Sequence, residues 1–439
     1  MNKIVEINIP CGGKQAAVRV PEKNLLGMFY PIRLEPLRDP GAGIEAEIAR
    51  GFETTGIEKM ASPASKVAIA VTDRTRVTPN KLFLPALLNK LNNLGVPDQN
   101  ITILIGTGMH APDSEEDIRQ NVGEEAARRV RVINNTPLEQ SVFVECGRTS
   151  YGTPVQVHRE FAGSDIRIVT GNIIPCLMAG WTGGGKTVLP GVASKETIYC
   201  NHKLFPDQLE KASRGAMLGV LPPANIVRDD IEQAAAVAGL HMAVNSVLNF
   251  DESIVRVLAG PHVEIHREGV NTALQALGAV FPRKADIIIG GADPWGVSLY
   301  QGGSRFLQSL DGVINEGGSV IFSCECKEGL YEGILKDVYT RWMQEMPTPE
   351  EIRDLTVKDI LPPEEGVVLY VFSWIIHKLK CKVVVVTQGM SGNELAEVHM
   401  GHALSLQDAL DAALLYHGPD AGVAVLPYGT MMLPLLETQ

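Results

Sequence analysis

Residues 180–187 read Gly-Trp-Thr-Gly-Gly-Gly-Lys-Thr, a single lysine set in a glycine run. The string satisfies G-x-x-x-x-G-K-[ST], the pattern of a phosphate-binding loop. That chemistry needs a strand leading straight into the first glycine. It also needs a helix starting at the lysine, so that N-terminal N–H groups face phosphate. Neither neighbour suits. Pro175-Cys-Leu-Met-Ala separates the apolar run 165–174 from Gly180, and Pro190-Gly191 follow almost at once. Proline inside a helix costs about 3 kcal/mol, and glycine adds to that. No strand ending in a magnesium-binding Asp stands out. The expectation is a ligand-binding loop, with a phosphate-loop nucleotide hydrolase as the alternative. Phosphate stays a plausible ligand, because consecutive glycine N–H groups can form an anion nest.

Other residues could do chemistry at strand ends. Asp73-Arg-Thr-Arg76 combines an acid, a hydroxyl and two guanidiniums, and arginine grips carboxylate or phosphate in a fork. The same residues also suit a solvated turn capping a helix at Pro79. His110 follows Gly106-Thr-Gly-Met and could be a general acid or base, or a turn residue without a role. His202, in Asn201-His202, could ligate a metal or be structural. His262 and His266 share a helix face if that segment is helical; lacking the Glu of H-E-x-x-H, they read as structural. Gln301-Gly-Gly-Ser304-Arg305 precedes a helical stretch and could bind an anion there or simply cap it. Cys324-Glu-Cys326 is too isolated for zinc.

The elements that must position these groups read as α/β. Strands are expected at 67–73, 101–108, 129–135, 154–160 and 165–174. A second series follows at 285–294, 318–327, 382–389 and 422–429, and residues 3–20 read as a hairpin. Apolar spacing through Leu82, Leu84, Leu87, Leu88 and Leu91 predicts a helix over 80–94. Helices are also expected near 229–238, 303–315 and 367–379. Strand–helix–strand order implies parallel sheets. Ligands of such sheets bind beyond the carboxyl ends of strands. The predicted fold is therefore two α/β domains, with mostly parallel sheets and an active-site cleft between them. The expected boundaries are 1–275, with 411–439 returning to it, and 276–410.

At 439 residues the chain has room for both cores. A net charge of −12 argues against general nucleic-acid or anionic-membrane binding. No apolar stretch reaches the roughly 18 residues of a membrane span. No secretory signal is visible at the N-terminus, and the seven cysteines suggest no disulfide framework. The cytoplasm is the expected location.

Taken in order, several motifs resemble those of the nickel-dependent lactate racemases and their 2-hydroxyacid racemase and epimerase relatives. They are Asp73-x-Thr75-Arg76-x-x-Pro79, Gly106-Thr-Gly-x-His110-x-Pro112 and Ala179-Gly-x-Thr-Gly-Gly-x-Lys186-x-x-x-Pro190-Gly-Val-Ala193. Thr197-Ile198, Asn201-His202, His266-Arg-Glu-Gly269 and Tyr300-Gln301 complete the set. The resemblance implies a nickel-pincer nucleotide joined covalently to Lys186, with His202 completing nickel coordination. Soft sulfur donors with imidazole suit that metal. It implies that His110 is an acid/base residue and that Arg76 meets the substrate carboxylate. Asp73, Thr75, Thr182, Gly183, Gly184 and Gly185 are implied to lie along the cofactor, the glycines giving clearance for its nucleotide. Cofactor-synthesis enzymes are implied as maturation partners, with a small 2-hydroxyacid as substrate.

Three departures from the pattern matter. Cys176 stands where lactate racemases carry a second acid/base histidine. Ser304 stands where they carry a lysine, a charge that Arg305 would have to replace. Asn135 stands where a histidine is often found. A thiol near pKa ~8.5 serves as a base only if its surroundings lower that value. The expected enzyme is thus an isomerase inverting C2 of a 2-hydroxyacid other than lactate. His110, Cys176 and Lys186 would be catalytic, and Gln301, Ser304 and Arg305 would join Arg76 at the substrate. A non-catalytic relative that kept the cofactor pocket is the further alternative.

Overall fold

The computed structural model describes residues 3–331 and 336–437. It contains two compact units. One comprises Arg33–Leu204 and Val220–Ala276; the other comprises Met1–Ile32, Phe205–Gly219 and Leu277–Gln439.

The first unit is built on a six-stranded sheet in the order Ile254–Gly260, Met242–Leu248, Ile166–Asn172, Val67–Thr72, Ile101–Gly106 and Arg131–Asn134. All pairings are parallel except that of the Ile254–Gly260 edge strand. Val67–Thr72 is apolar almost throughout, because helices cover both faces of such a strand. The helix Asn80–Asn93 buries Phe83, Leu84, Leu87, Leu88 and Leu91, while Leu82 is exposed. The apolar stripe therefore starts one residue later than the leucines alone suggest. The helix Pro40–Thr54 adds Ile44, Ile48 and Phe52 to the same core.

The second unit carries a wholly parallel sheet in the order Gly401–Ala403, Lys382–Val386, Ile314–Ser323, Ala285–Gly291, Val423–Leu426 and Leu25–Met28. The hairpin Ile4–Cys11/Lys14–Pro21 packs Ile7, Ile9, Val18 and Val20 into its core. The division differs from the expected boundaries. The tail 411–439 lies with 277–410, not with 33–275, because Val423–Leu426 inserts between Ala285–Gly291 and Leu25–Met28. Leu433–Leu436 then pairs with Gly278–Phe281.

Local differences have local causes. The expected helix 303–315 is a π turn, Leu299–Gly303, and one helical turn, Ser304–Leu307. The strand Ile314–Ser323 begins where that helix was expected to end. Pro154–His158 pairs antiparallel with Phe143–Arg148, outside the six-stranded sheet. Pro261 does not prevent a helix; it directly precedes one, His262–Leu277, a position that leaves no hydrogen bond unmade. No described helix is long and apolar enough to cross a membrane.

Candidate active site

In the first unit, Val67–Thr72 lies between Ile101–Gly106 and Ile166–Asn172. The chain runs outward on one side and returns to start the other, which makes this the topological switch point where α/β sheets bind ligands. Two loops leave the carboxyl ends here: Asp73–Pro79 after the first strand and the segment from Ile173 after the third.

Asp73 is buried at 2% exposure, and both its oxygens are used. Oδ1 accepts from the Thr75 N–H at 2.9 Å and from the Thr75 hydroxyl at 2.5 Å. Oδ2 lies 2.6 Å from His110 Nδ1. Burial alone would raise this carboxyl. The hydrogen bond and charge of His110, with help from Arg76 and Thr75, hold it down to about 2. A carboxylate acceptor places the proton on Nδ1, which leaves Nε2 of the half-exposed imidazole with a lone pair. This is the orienting arrangement of an acid/base histidine. Arg76 Nη1 donates to Thr75 Oγ1 at 2.9 Å. Arg74 is committed elsewhere, to Asp113 at 3.2 Å and Asp117 at 3.5 Å. Of the two guanidiniums in the motif, Arg76 is the one beside the Asp73–His110 pair.

The lysine loop is not a phosphate loop. Gly184–Thr187 forms a single 3-10 turn, and the next helix starts only at Lys195. The Gly184 N–H is spent on Asn245 Oδ1 at 2.9 Å, the Lys186 N–H on the Gly183 carbonyl and the Val188 N–H on the Gly185 carbonyl. The glycines make room for protein. A Cβ on Gly184, where φ is +59°, would lie 2.6 Å from Arg228 Nη2; one on Gly185 would lie 2.9 Å from Ala235 Cβ. The side-chain face of these glycines is therefore filled by protein. Thr182 Oγ1 closes the loop on the Asn172 carbonyl and accepts from the Ile174 N–H. Pro190 and Gly191, which deny the loop a long helix, form the bed for the His110 loop. The Gly108 N–H donates to the Gly191 carbonyl at 3.0 Å, and a Cβ on Gly106 would lie 3.1 Å from Gly191 Cα.

Two more groups gather around Lys186. His202 sits on the helix Lys195–Ala212, whose start is tied down by Thr197 Oγ1 donating to the Pro154 carbonyl. Asn201 ties the same helix to Ile226–Val237 by donating to Asp230 and the Val227 carbonyl. His202 Nδ1 donates to the Ile198 carbonyl at 2.8 Å. Burial first, and the Lys186 charge second, push this imidazole down to about 4. It is neutral with a bare Nε2, the state a metal ligand requires. Cys176 pairs with Gly180 across a two-residue ladder. Burial pushes its thiol up. The Lys186 charge, N–H groups of Ala179 and Met178, and Arg76 outweigh that and hold it below the ordinary thiol value. Asn135 anchors backbone instead, donating to the Ala193 carbonyl.

Among the described residues no group of three or more His, Cys, Asp or Glu side chains converges to hold a metal. Protein metal centres ordinarily draw three or four ligands from the chain. A single prepared imidazole beside a lysine fits a metal whose other donors arrive with an organic group. The donor set is therefore compatible with the cofactor expected from the sequence.

Gln301, Ser304 and Arg305 belong to the second unit. The Ser298 hydroxyl accepts from the Gln301 N–H, and Ser304 Oγ donates to the Gln301 carbonyl. The Arg305 guanidinium stacks 4.0 Å from the Trp295 ring centroid. With only four residues of helix following, this turn is capped backbone and not a helix-dipole anion site.

Residues 11–213 match the lactate racemase N-terminal domain, and residues 280–433 the lactate racemase C-terminal domain. The chain is similar to the lactate racemase of Lactiplantibacillus plantarum, 26% identical over 439 residues, covering 97% of this chain and 99% of that protein. It is 24% identical to the lactate racemase of Thermoanaerobacterium thermosaccharolyticum, covering 98% and 99%. In three dimensions it resembles the lactate racemase apoprotein from the latter organism, with a TM-score of 0.84 and 23% identity over 99% of this chain and 100% of that one. A protein from Thermotoga maritima is also similar, with a TM-score of 0.66 and 16% identity over 92% of this chain and all of that one. At these identities the structural likeness speaks to the fold alone.

Proposed function

We propose that this chain, which belongs to the lactate racemase family, inverts the C2 centre of a 2-hydroxyacid other than lactate. Lys186 would carry a nickel-pincer nucleotide and His202 would offer Nε2 to its metal. When bound, that cofactor supplies the acceptor for the hydride leaving the substrate's α-carbon. The chain's own residues handle binding and protons. Arg76, steadied by Thr75 Oγ1, meets the substrate carboxylate. His110 takes the hydroxyl proton at Nε2, its tautomer set by Asp73. Cys176 Sγ takes the proton of the opposite enantiomer.

The observation that carries this reading is the setting of Cys176. A thiol replaces an imidazole, and the charges of Lys186 and Arg76 favour its anion. A thiolate is a base as the task requires, but it is smaller than an imidazole and approaches from closer to its backbone. Ser304 brings no positive charge, and Arg305 lies on Trp295. A substrate held as lactate is held in lactate racemases would therefore lose one cationic contact. A bulkier or more hydroxylated acid, epimerised at C2, compensates with contacts of its own.

The test is co-expression with the cofactor-synthesis enzymes, followed by intact-mass and metal analysis. The expected product is an adduct on Lys186 with near-stoichiometric nickel. The loaded protein is then given a panel of chiral 2-hydroxyacids and sugar acids. Lactate turning over best, or an unmodified Lys186 under conditions that load a lactate racemase, overturns the proposal.

A further inference from the structure

The four residues 181–184 are held by side chains from three different elements. Arg228, on the helix Ile226–Val237, is fully buried. Its Nη1 donates to the carbonyls of Trp181 and Gly183, both at 3.1 Å. His266, on the helix His262–Leu277, lies with Nε2 3.0 Å from the Thr182 carbonyl between them. Asn245, on Met242–Leu248, accepts the Gly184 N–H. Three consecutive carbonyls and the next N–H are thus each pinned from outside the loop.

The donors are themselves fixed by one carboxylate. Glu232 accepts from Arg228 Nε at 2.7 Å. It also accepts from both terminal nitrogens of Arg267 at 2.8 Å each. Arg267 Nη1 lies 2.9 Å from His266 Nδ1. A guanidinium only donates, so His266 Nδ1 must accept and Nε2 must carry the proton given to Thr182. Burial and the two neighbouring arginines keep this imidazole neutral, which preserves that single tautomer. The arrangement closes only because Gly184 lacks a Cβ, which would lie 2.6 Å from Arg228 Nη2 and 3.3 Å from His266 Cβ.

Such a cluster is a poor device for stability. Two arginines share one buried carboxylate, Arg228 fully out of water and Arg267 partly exposed, and Arg228 Nη2 has no hydrogen-bond partner. Apolar replacements of buried ion clusters are often neutral or stabilising. What the cluster does well is orient. Every carbonyl it grips lies within five residues of Lys186, the residue that chemistry must reach. We propose that Arg228, Glu232, Arg267 and His266 form a clamp of positioning residues, which holds the Trp181–Gly184 backbone so that Lys186 is presented in one geometry. This rests on the reading of Lys186 as the cofactor anchor. His266 therefore serves the loop backbone, not as half of a metal pair with His262.

The test compares His266→Leu, which removes the Thr182 donor, with His266→Gln, whose amide N–H₂ can still reach that carbonyl. In unloaded protein, hydrogen exchange is followed by mass spectrometry and set beside the thermal midpoint. In protein co-expressed with the cofactor-synthesis enzymes, the fraction of Lys186 carrying the adduct is read by intact mass. His266→Leu is expected to speed exchange at 184–188 about tenfold or more, with Val67–Thr72 and Ile101–Gly106 still protected. Its adduct fraction is expected to fall several-fold, and His266→Gln to restore both. Unchanged exchange and loading in His266→Leu overturns the clamp, as does a loss of protection spread evenly over the unit. If His266→Leu does not fold, Arg228→Lys, which cannot bridge both carbonyls, is read by the same two measurements. If the unmodified protein takes no adduct where a lactate racemase does, the cofactor reading fails. The exchange comparison then still decides whether the clamp holds the loop.

Discussion

Replacing Asp73 by Asn tests the acid/base assignment at its support. The substitution keeps shape and removes charge. The Thr75 N–H and hydroxyl both point at Oδ1, so the oxygen of the introduced amide would stay there and its N–H₂ would face His110 Nδ1. Nδ1 would then have to accept, and the proton would move to Nε2, the atom that must receive the substrate's proton. The size of the effect follows from the carboxylate. Its value of about 2 against an ordinary 3.8 corresponds to ~2.5 kcal/mol of preference for the charged form, to which His110 contributes most and Arg76 and Thr75 add. The wrong tautomer brings the expected loss into the ~10²–10⁴ range of a mispositioned general base. The assay is chiral chromatography of the interconverted acid, with adduct on Lys186 matched by intact mass. Turnover within threefold of the unmodified protein at equal loading would refute the reasoning. A second readout follows from linkage. A carboxyl depressed in the folded state stabilises fully above its unfolded value near ~3.9 and loses that stabilisation as pH falls toward about 2. Asp73→Asn should flatten the acid-unfolding limb between those values and leave neutral stability behaviour with pH unaltered.

Three further outcomes are expected. Cys176 in unloaded protein should alkylate with iodoacetamide faster than the buried Cys381, whose thiol is pushed up to about 12; Lys186→Met should slow Cys176 several-fold, and an unchanged rate would remove Lys186 as the cause of its acidity. Gly184→Ala should lower the thermal midpoint by several degrees. An L-residue in the left-handed region costs roughly 1–2 kcal/mol, and its Cβ would strike Arg228 in a close-packed site; a midpoint within a degree of the parent would show that the loop gives way cheaply. His202→Ala should leave the Lys186 adduct in place while nickel per chain drops at least several-fold after dialysis. Full retention of nickel would mean that the imidazole is not a ligand.

Much of this was legible in the sequence where a residue's neighbours along the chain decide its state. The β-rich runs and the strand-end placement of Asp73 and His110 came directly from pattern. So did the argument that Pro190-Gly191 forbids a phosphate-loop helix. What the pattern could not reveal was contact between distant segments. Met242–Leu248 carries Asn245 and Ser246 in mid-strand, so it does not alternate cleanly, yet it is an interior strand whose Asn245 serves the lysine loop. Arg228 and Glu232 are spaced i, i+4, a pattern shared by exposed and buried pairs. Only their burial by a second helix tells which. The tail's strand Val423–Leu426 was visible as a strand, but its neighbours are set by long-range pairing that no local spacing records. Ser304 and Arg305 were expected inside a helix over 303–315, which is only one turn, Ser304–Leu307; the Trp295 face that holds Arg305 lies ten residues upstream.

The hydrogen bond from Gly108 to Gly191 joins two backbones with no side chain involved. No side-chain truncation can delete it, only a proline that lacks the N–H, and no inventory of reactive residues would list it. It makes the loop bearing the acid/base group and the loop bearing the lysine one rigid part. Either reactive side chain can be exchanged while that part stays in register. On the proposed reading, a thiol at Cys176 in place of an imidazole is the kind of change such a frame tolerates. In this family, glycines and prolines should therefore drift more slowly than the groups that touch substrate, and new specificity should arise by changing the tool while keeping its mount.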